Sequence, residues 1–241
     1  MSGHSKFSNI KHRKERSDAA KAKVFTRLGR ELIIAVKHGG GEPASNGRLR
    51  DAIAKAKAGN MPNDTIDRII KKTAGGANDM DYEAITYEGY GPGGVAVIVE
   101  ALTDNRNRAA ANVRNAFTKG GGNMGATGCV SFLFEDKGVI AVPRASYEDE
   151  EQLMLLALES GASDFTAEDD NFYILTEPDD FSAVRETMEV SGVPAVSAET
   201  AKIPVTSVKL ADAEDIKKMN KLLDLLDEED DVQNVYHNWE I

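Results

Sequence analysis

Residues 139–198 read VIAVPRASYEDEEQLMLLALESGASDFTAEDDNFYILTEPDDFSAVRETMEVSGVPAVSA. Apolar alternation, the mark of a strand, gives way here to the wider spacing of an amphipathic helix and returns, twice over. The pattern predicts strand 139–142, helix 148–159, strands 164–166 and 172–175, helix 179–191 and strand 195–198. That βαββαβ order is the signature of a ferredoxin-like unit.

On either side of this unit lie pieces that need each other. Upstream, 83–88 and 95–102 read as strands around the turn Gly89 to Gly94, Asp104 can cap a helix over 105–119, and 130–134 returns as a strand. Downstream, strand 203–210, helix 212–226 and strand 232–236 follow, the helix carrying Ile216, Met219, Leu223 and Leu226 on one face that must be covered. Together they make a second βαββαβ-like set. Residues 137–201 are therefore expected to be a ferredoxin-like domain inserted into a discontinuous α/β domain of residues 77–136 plus 202–241. The first 76 residues are expected to form a basic arm and a three-helix domain. In its helix 17–37, Ala20, Val24, Leu28, Leu32 and Val36 recur every four residues and Gly39 to Gly41 follow, with shorter helices at 49–58 and 63–73. The fold class is thus α+β and multidomain, and 241 residues suit two or three such units.

Charge divides the chain in the same place. Residues 1–76 hold 17 Lys/Arg against 7 Asp/Glu, a net of +10, although the whole chain is at -11. Beyond residue 130, 8 basic residues face 27 acidic ones. A basic head on an acidic body suits a polyanionic partner that the body repels and so orients. The strongest candidates are Lys6, Lys11, Arg13, Lys14 and Arg16, each able to neutralise a phosphate, with Phe7 able to stack on an unpaired base. Lys23, Arg27 and Arg30 continue that cationic face along the first helix. A second polar stripe, Asn105, Arg108, Asn112, Asn115 and Lys119, follows 3, 4, 3, 4 spacing on helix 105–119, where donors to phosphate or RNA hydroxyls and an ordinary solvated face look the same.

Several segments of this chain resemble one family. Gly3-His4-Ser5-Lys6, Asn9-Ile10-Lys11-His12-Arg13-Lys14, Met61-Pro62 with Asp64, Ile66 and Arg68, Tyr87-Glu88-Gly89-Tyr90-Gly91-Pro92-Gly93-Gly94, and Asp104-Asn105-Arg106-Asn107-Arg108 through Gly121-Gly122-Asn123 are similar to the YebC/PmpR family, whose mitochondrial relative is the translational activator of cytochrome c oxidase. Phe7 stands where that family usually has tryptophan. The resemblance implies a helical first domain and two α/β domains, one interrupting the other. It implies a DNA-binding transcriptional regulator or, alternatively, a ribosome-associated factor that binds ribosomal RNA and relieves stalling on sequences such as consecutive prolines. No helix-turn-helix reading helix is evident, which on physical grounds favours RNA.

Other chemistries find less support. The tract Gly120 to Gly128 follows a helix, precedes a strand and lacks the lysine of a phosphate loop, so it is expected to hold no nucleotide. The acidic runs 148–151 and 227–231 read as solvated helix ends rather than metal sites, because consecutive side chains diverge. The four histidines form no HExxH pair and there is no GxSxG turn, so no catalytic constellation, metal or cofactor is expected. The contrary reading, a metal-assisted phosphoesterase, rests on Glu100 and Asp104 at one strand end. Cys129 is the sole cysteine and excludes an internal disulfide, and no apolar run approaches a membrane span or a signal core. A cytoplasmic protein, monomeric or weakly oligomeric and with no membrane partner, is the expectation.

Overall fold

The computed structural model describes residues 21–77 and 81–240. Three helices come first: α1 Lys21–Gly39, α2 Gly47–Ala58 and α3 Asn63–Ala74. Then follow β1 Glu83–Tyr90, β2 Ala96–Thr103, α4 Arg106–Lys119, β3 Asn123–Met124, β4 Phe134–Pro143, α5 Glu150–Glu159, β5 Asp164–Ala167, β6 Asn171–Thr176, α6 Phe181–Val190, β7 Ser197–Pro204, β8 Val208–Lys209, α7 Ala213–Glu228, β9 Val232–His237 and β10 Trp239–Glu240. The fold is α+β, helices first and sheets after, as expected. Two compact units share these elements. One takes the described residues of Met1–Ile34, Gly75–Glu135 and Ile203–Ile241, the other Ala35–Ala74 and Asp136–Lys202.

In the first unit the sheet order is β3-β1-β2-β9, with β1, β2 and β9 antiparallel in turn. Strand β2 is apolar without alternation because both faces are covered, and Val95, Ala96, Val97, Ile98 and Val99 are all fully buried. Val95, Val97 and Val99 point at Val113 and Phe117 of α4 and at Met219, Leu222 and Leu226 of α7. Burying each such side chain contributes about 1.5 to 3 kcal/mol, which makes this sandwich the anchor of the unit. Gly120 ends α4 against α7, where any side chain would meet the Leu222 Cα at 2.8 Å.

The expected strand 130–134 does not form. A 3-10 turn, Ser131–Leu133, stands there and β4 starts at Phe134. The Glu88 carboxylate accepts the N–H groups of Val130 and Ser131, both at 2.9 Å, and so takes the donors a ladder would need. The expected strand 203–210 also splits, into the end of β7 and the short β8, at Pro204, which has no N–H to give.

In the second unit the sheet order is β5-β6-β4-β7, the arrangement of a ferredoxin-like βαββαβ unit. Ile140, Val142, Phe172 and Ile174 face Leu153 and Ala157 of α5 and Phe181, Val184 and Met188 of α6. Asp149 caps α5 by accepting the Gln152 N–H at 2.9 Å, and Glu150 and Glu151 complement its N-terminal dipole, so this acidic run is a solvated helix start. On α2, Asp51 pairs with Arg185 of α6 at 2.7 Å and accepts the Ser182 hydroxyl, which joins the helical segment of this unit to its ferredoxin-like part.

Candidate nucleic-acid interface

Lys6, Phe7, Lys11, Arg13, Lys14 and Arg16 lie outside the described residues. The described part of the expected interface begins with α1, whose period brings Lys23, Arg27 and Arg30 to neighbouring positions. Lys23 is half-buried and forms no ion pair among the described residues. The two arginines are engaged within the first unit. Arg27 Nη1 reaches Asp227 Oδ1 at 3.0 Å and its Nη2 donates to the Asp227 carbonyl at 2.7 Å. Arg30 Nη1 donates to the carbonyls of Leu102 and Asp230 and to Asp231 Oδ1 at 3.2 Å, and its guanidinium lies over the Tyr82 ring, 5.4 Å from the centroid.

Asp231 is the centre of this cluster. Its side chain is only 7% exposed, yet it receives Arg30, the Thr103 hydroxyl at 3.0 Å, and Arg108 through Nε at 3.2 Å and Nη2 at 2.9 Å. A buried carboxylate survives when it is paired and fully hydrogen-bonded, and two arginines with a threonine meet that need. Arg108 also holds Asp104 at 2.7 Å. The hydrogen bond to Asp231, then that to Asp104, raises the Arg108 pKa, and the bond from Arg108 lowers that of Asp104. The run 227–231 is therefore not a solvated helix end at Asp231. The aspartate tucks inward at the start of β9 because strand pairing carries it beside Thr103 of β2, with Leu102 N–H donating to its carbonyl at 2.8 Å.

The second polar stripe divides. Asn105 caps α4, its Oδ1 accepting the Arg108 N–H at 3.0 Å, and Asn112 donates to Glu229 at 2.8 Å. Asn115 and Lys119 are exposed, so three of the five stripe residues secure α4 and two face solvent. Glu100 accepts Asn234 Nδ2 at 2.9 Å, and Asp104 serves Arg108, which gives each acid of the alternative hydrolytic pair a separate structural partner. Among the described residues no group of three or more His, Cys, Asp or Glu is placed to hold a metal ion, and no helix is long and apolar enough to cross a membrane.

Sequence reasoning missed a further feature. Glu88 is 3% exposed and accepts three backbone N–H groups, from Gly128 at 2.8 Å and from Val130 and Ser131 at 2.9 Å. Burial pushes its carboxyl up, but these hydrogen bonds outweigh burial and the net shift is below the ordinary value. Tyr90 adds a bond from its hydroxyl to the Cys129 carbonyl at 3.1 Å. The Gly-rich tract is thereby fastened to β1. Burial, followed by the nearby Glu88 charge, raises the Cys129 thiol pKa above its ordinary value.

This chain is similar to known proteins along nearly its whole length. A family model described as the TACO1/YebC protein N-terminal domain matches residues 5–76, and one described as the TACO1/YebC second and third domain matches residues 82–239. A probable transcriptional regulatory protein of Lachnoclostridium phytofermentans is 63% identical over 241 residues, covering 100% of both chains. Another of that name, from Lachnospira eligens, is 61% identical and covers 99% of this chain and 97% of its own. The crystal structure of a conserved hypothetical protein of Aquifex aeolicus superposes with a TM-score of 0.83 at 48% identity, over 93% of this chain and 92% of the other.

Proposed function

The chain belongs to the TACO1/YebC family, and on that premise we propose that it is a non-enzymatic regulator of gene expression that binds nucleic acid through its basic head. The names of its relatives as probable transcriptional regulatory proteins support the regulatory part. The charge division carries the rest: a net of +10 over residues 1–76 against -21 over the remainder. In this reading Lys6, Lys11, Arg13, Lys14 and Arg16 neutralise phosphates, Phe7 stacks on a base, and Lys23 extends the grip. Arg27 and Arg30 hold α1 to the first unit, and Asn115 and Lys119 offer a lesser contact. The three-part division into 1–76, 77–136 plus 202–241, and 137–201 belongs to the same proposal, supported by the two family matches. The cytoplasm is the compartment it requires.

Binding to a labelled RNA or duplex over a salt series tests this. With about six phosphate contacts the slope of log K against log salt on duplex is near -5, a loss of about 10³-fold between 50 and 200 mM. Deleting residues 2–16 should remove most of that slope. An affinity indifferent to salt and to the deletion sinks the proposal. Phe7 within the arm favours a partner with unpaired bases, and crosslinking in cells separates the cases: ribosomal RNA for a translational role, promoter DNA for a transcriptional one.

A further inference from the structure

Lys37 and His38 end α1, Arg48 and Arg50 begin α2, and Lys71 and Lys72 stand in the last turn of α3. Chain order leaves these pairs apart, and the loop between α1 and α2 brings them together. Asn46, only 5% exposed, donates through Nδ2 to the carbonyls of Ala35 and Gly40, both at 2.8 Å, and accepts the Leu49 N–H at 3.0 Å. That locks the last turn of α1 against the first turn of α2. A side chain at Gly41 would meet the Ala74 Cβ at 2.9 Å and the Ile70 Cγ2 at 3.6 Å, so the last turn of α3 lies against the same loop. Three helix ends thus share one pole of the second unit, and all six basic side chains there are exposed.

One acid shares this pole and the others are elsewhere. Glu42 is the one acidic residue of the loop, Asp64 and Asp67 stand toward the start of α3, and Asp51 is turned to Arg185. Basic residues at the ends of α1 and α3 complement the helix dipoles, which alone would account for those four. Arg48 and Arg50 cannot be explained so. They occupy the first turn of α2, where a positive charge is disfavoured and where no acid stands to offset it. Arg50 is aimed by donating to the carbonyls of Pro43 at 2.9 Å and Ala44 at 3.2 Å, while Arg48, Lys71 and Lys72 form no ion pair among the described residues.

We propose that this pole is a second contact for the phosphodiester backbone of a nucleic acid, made by residues other than those of the arm. The inference rests on the nucleic-acid reading above and adds a site to it. The occupant is a polyanion with regularly spaced charges, because the cations come from three elements and no pocket is needed to receive a backbone that passes across them.

The test uses the full chain with Arg48→Gln, Lys71→Gln and Lys72→Gln combined, leaving Arg50 to hold its loop. Binding to a fluorescein-labelled mixed-sequence duplex and RNA is followed by anisotropy between 50 and 200 mM salt. These three contacts add to the six counted for the arm and Lys23, so their loss should flatten the duplex slope by about 2.7 and weaken binding at least about tenfold at 100 mM, whereas neutralising the exposed Lys209, Lys217 and Lys221 should change affinity less than about twofold. Should the triple variant fail to fold, Lys72→Gln alone should flatten the slope by about 0.9. Unchanged binding by the pole variant, with binding lost on deletion of residues 2–16, overturns this site and leaves the arm as the grip. An equal loss in the control variant overturns it too. If neither the pole variant nor the deletion matters, the nucleic-acid reading itself falls.

Discussion

Arg27 and Arg30 on α1 and Arg48, Lys71 and Lys72 on the helices that follow count equally in any sum of charge, but the fold treats them differently. The first two are 16% and 13% exposed and face carboxylates of the same unit, whereas the other three are exposed and face none that the described residues show. A surplus of basic residues measures what a segment can offer, and burial beside acids determines how much of it is on offer.

The sharpest way to break this contrast is at Asp231. Asp231→Asn removes the charge shared by Arg30 and Arg108 in a nearly dry site, and the loss should be about 3 kcal/mol in a chemical-denaturation experiment. A loss under 1 kcal/mol would mean that the two arginines are as available as surface ones. Next in size is Glu88→Gln, where the amide keeps one acceptor oxygen for three backbone donors. We expect about 1 to 3 kcal/mol and faster amide exchange at Gly128, Val130 and Ser131. The same bonds give the tract a pH dependence. The folded carboxyl titrates below its unfolded value, so its stabilisation is complete above the ordinary Glu range and disappears as pH falls through the lower folded value. A protection factor at these three amides that falls only in acid would agree; one indifferent to acid would not.

Smaller effects sharpen the contrast. Asp227 is 40% exposed, so Arg27→Gln should cost only about 0.5 to 1 kcal/mol of stability. Lys71→Gln with Lys72→Gln should cost no more than about 0.5 kcal/mol, the low end of what cations give an exposed helix terminus, since neither lysine forms an ion pair among the described residues, and should show itself mainly in nucleic-acid affinity. If the lysine pair proved the more destabilising of the two, the lysines would be the committed cations and Arg27 the available one.

Much of this architecture is legible from residue spacing. The βαββαβ order of 137–201, the apolar face of α7 and the glycine stop after α1 all follow from local periodicity, and the family follows from long motifs such as Asp104 to Arg108. The errors fall where a distant group takes over the backbone. Residues 130–133 have the composition of a strand but lose their donors to Glu88, about forty positions earlier. The cationic face of α1 was visible as a face, but its partners were not. Asp231 looked like one of five acids in a solvated run, and its place next to an apolar strand was the only hint that it turns inward.

Periodicity, charge sign and motif identity act within one or two turns of chain, which is why composition and order alone yield the helices, the strands, the inserted unit and the basic head. Ion pairing across 201 residues, as between Arg30 and Asp231, depends on which surfaces meet after burial of the core. So does the meeting of the last turn of α3 with the loop that precedes α2. Desolvation and proximity set the strength of every charge in this molecule, and both exist only once the chain is folded.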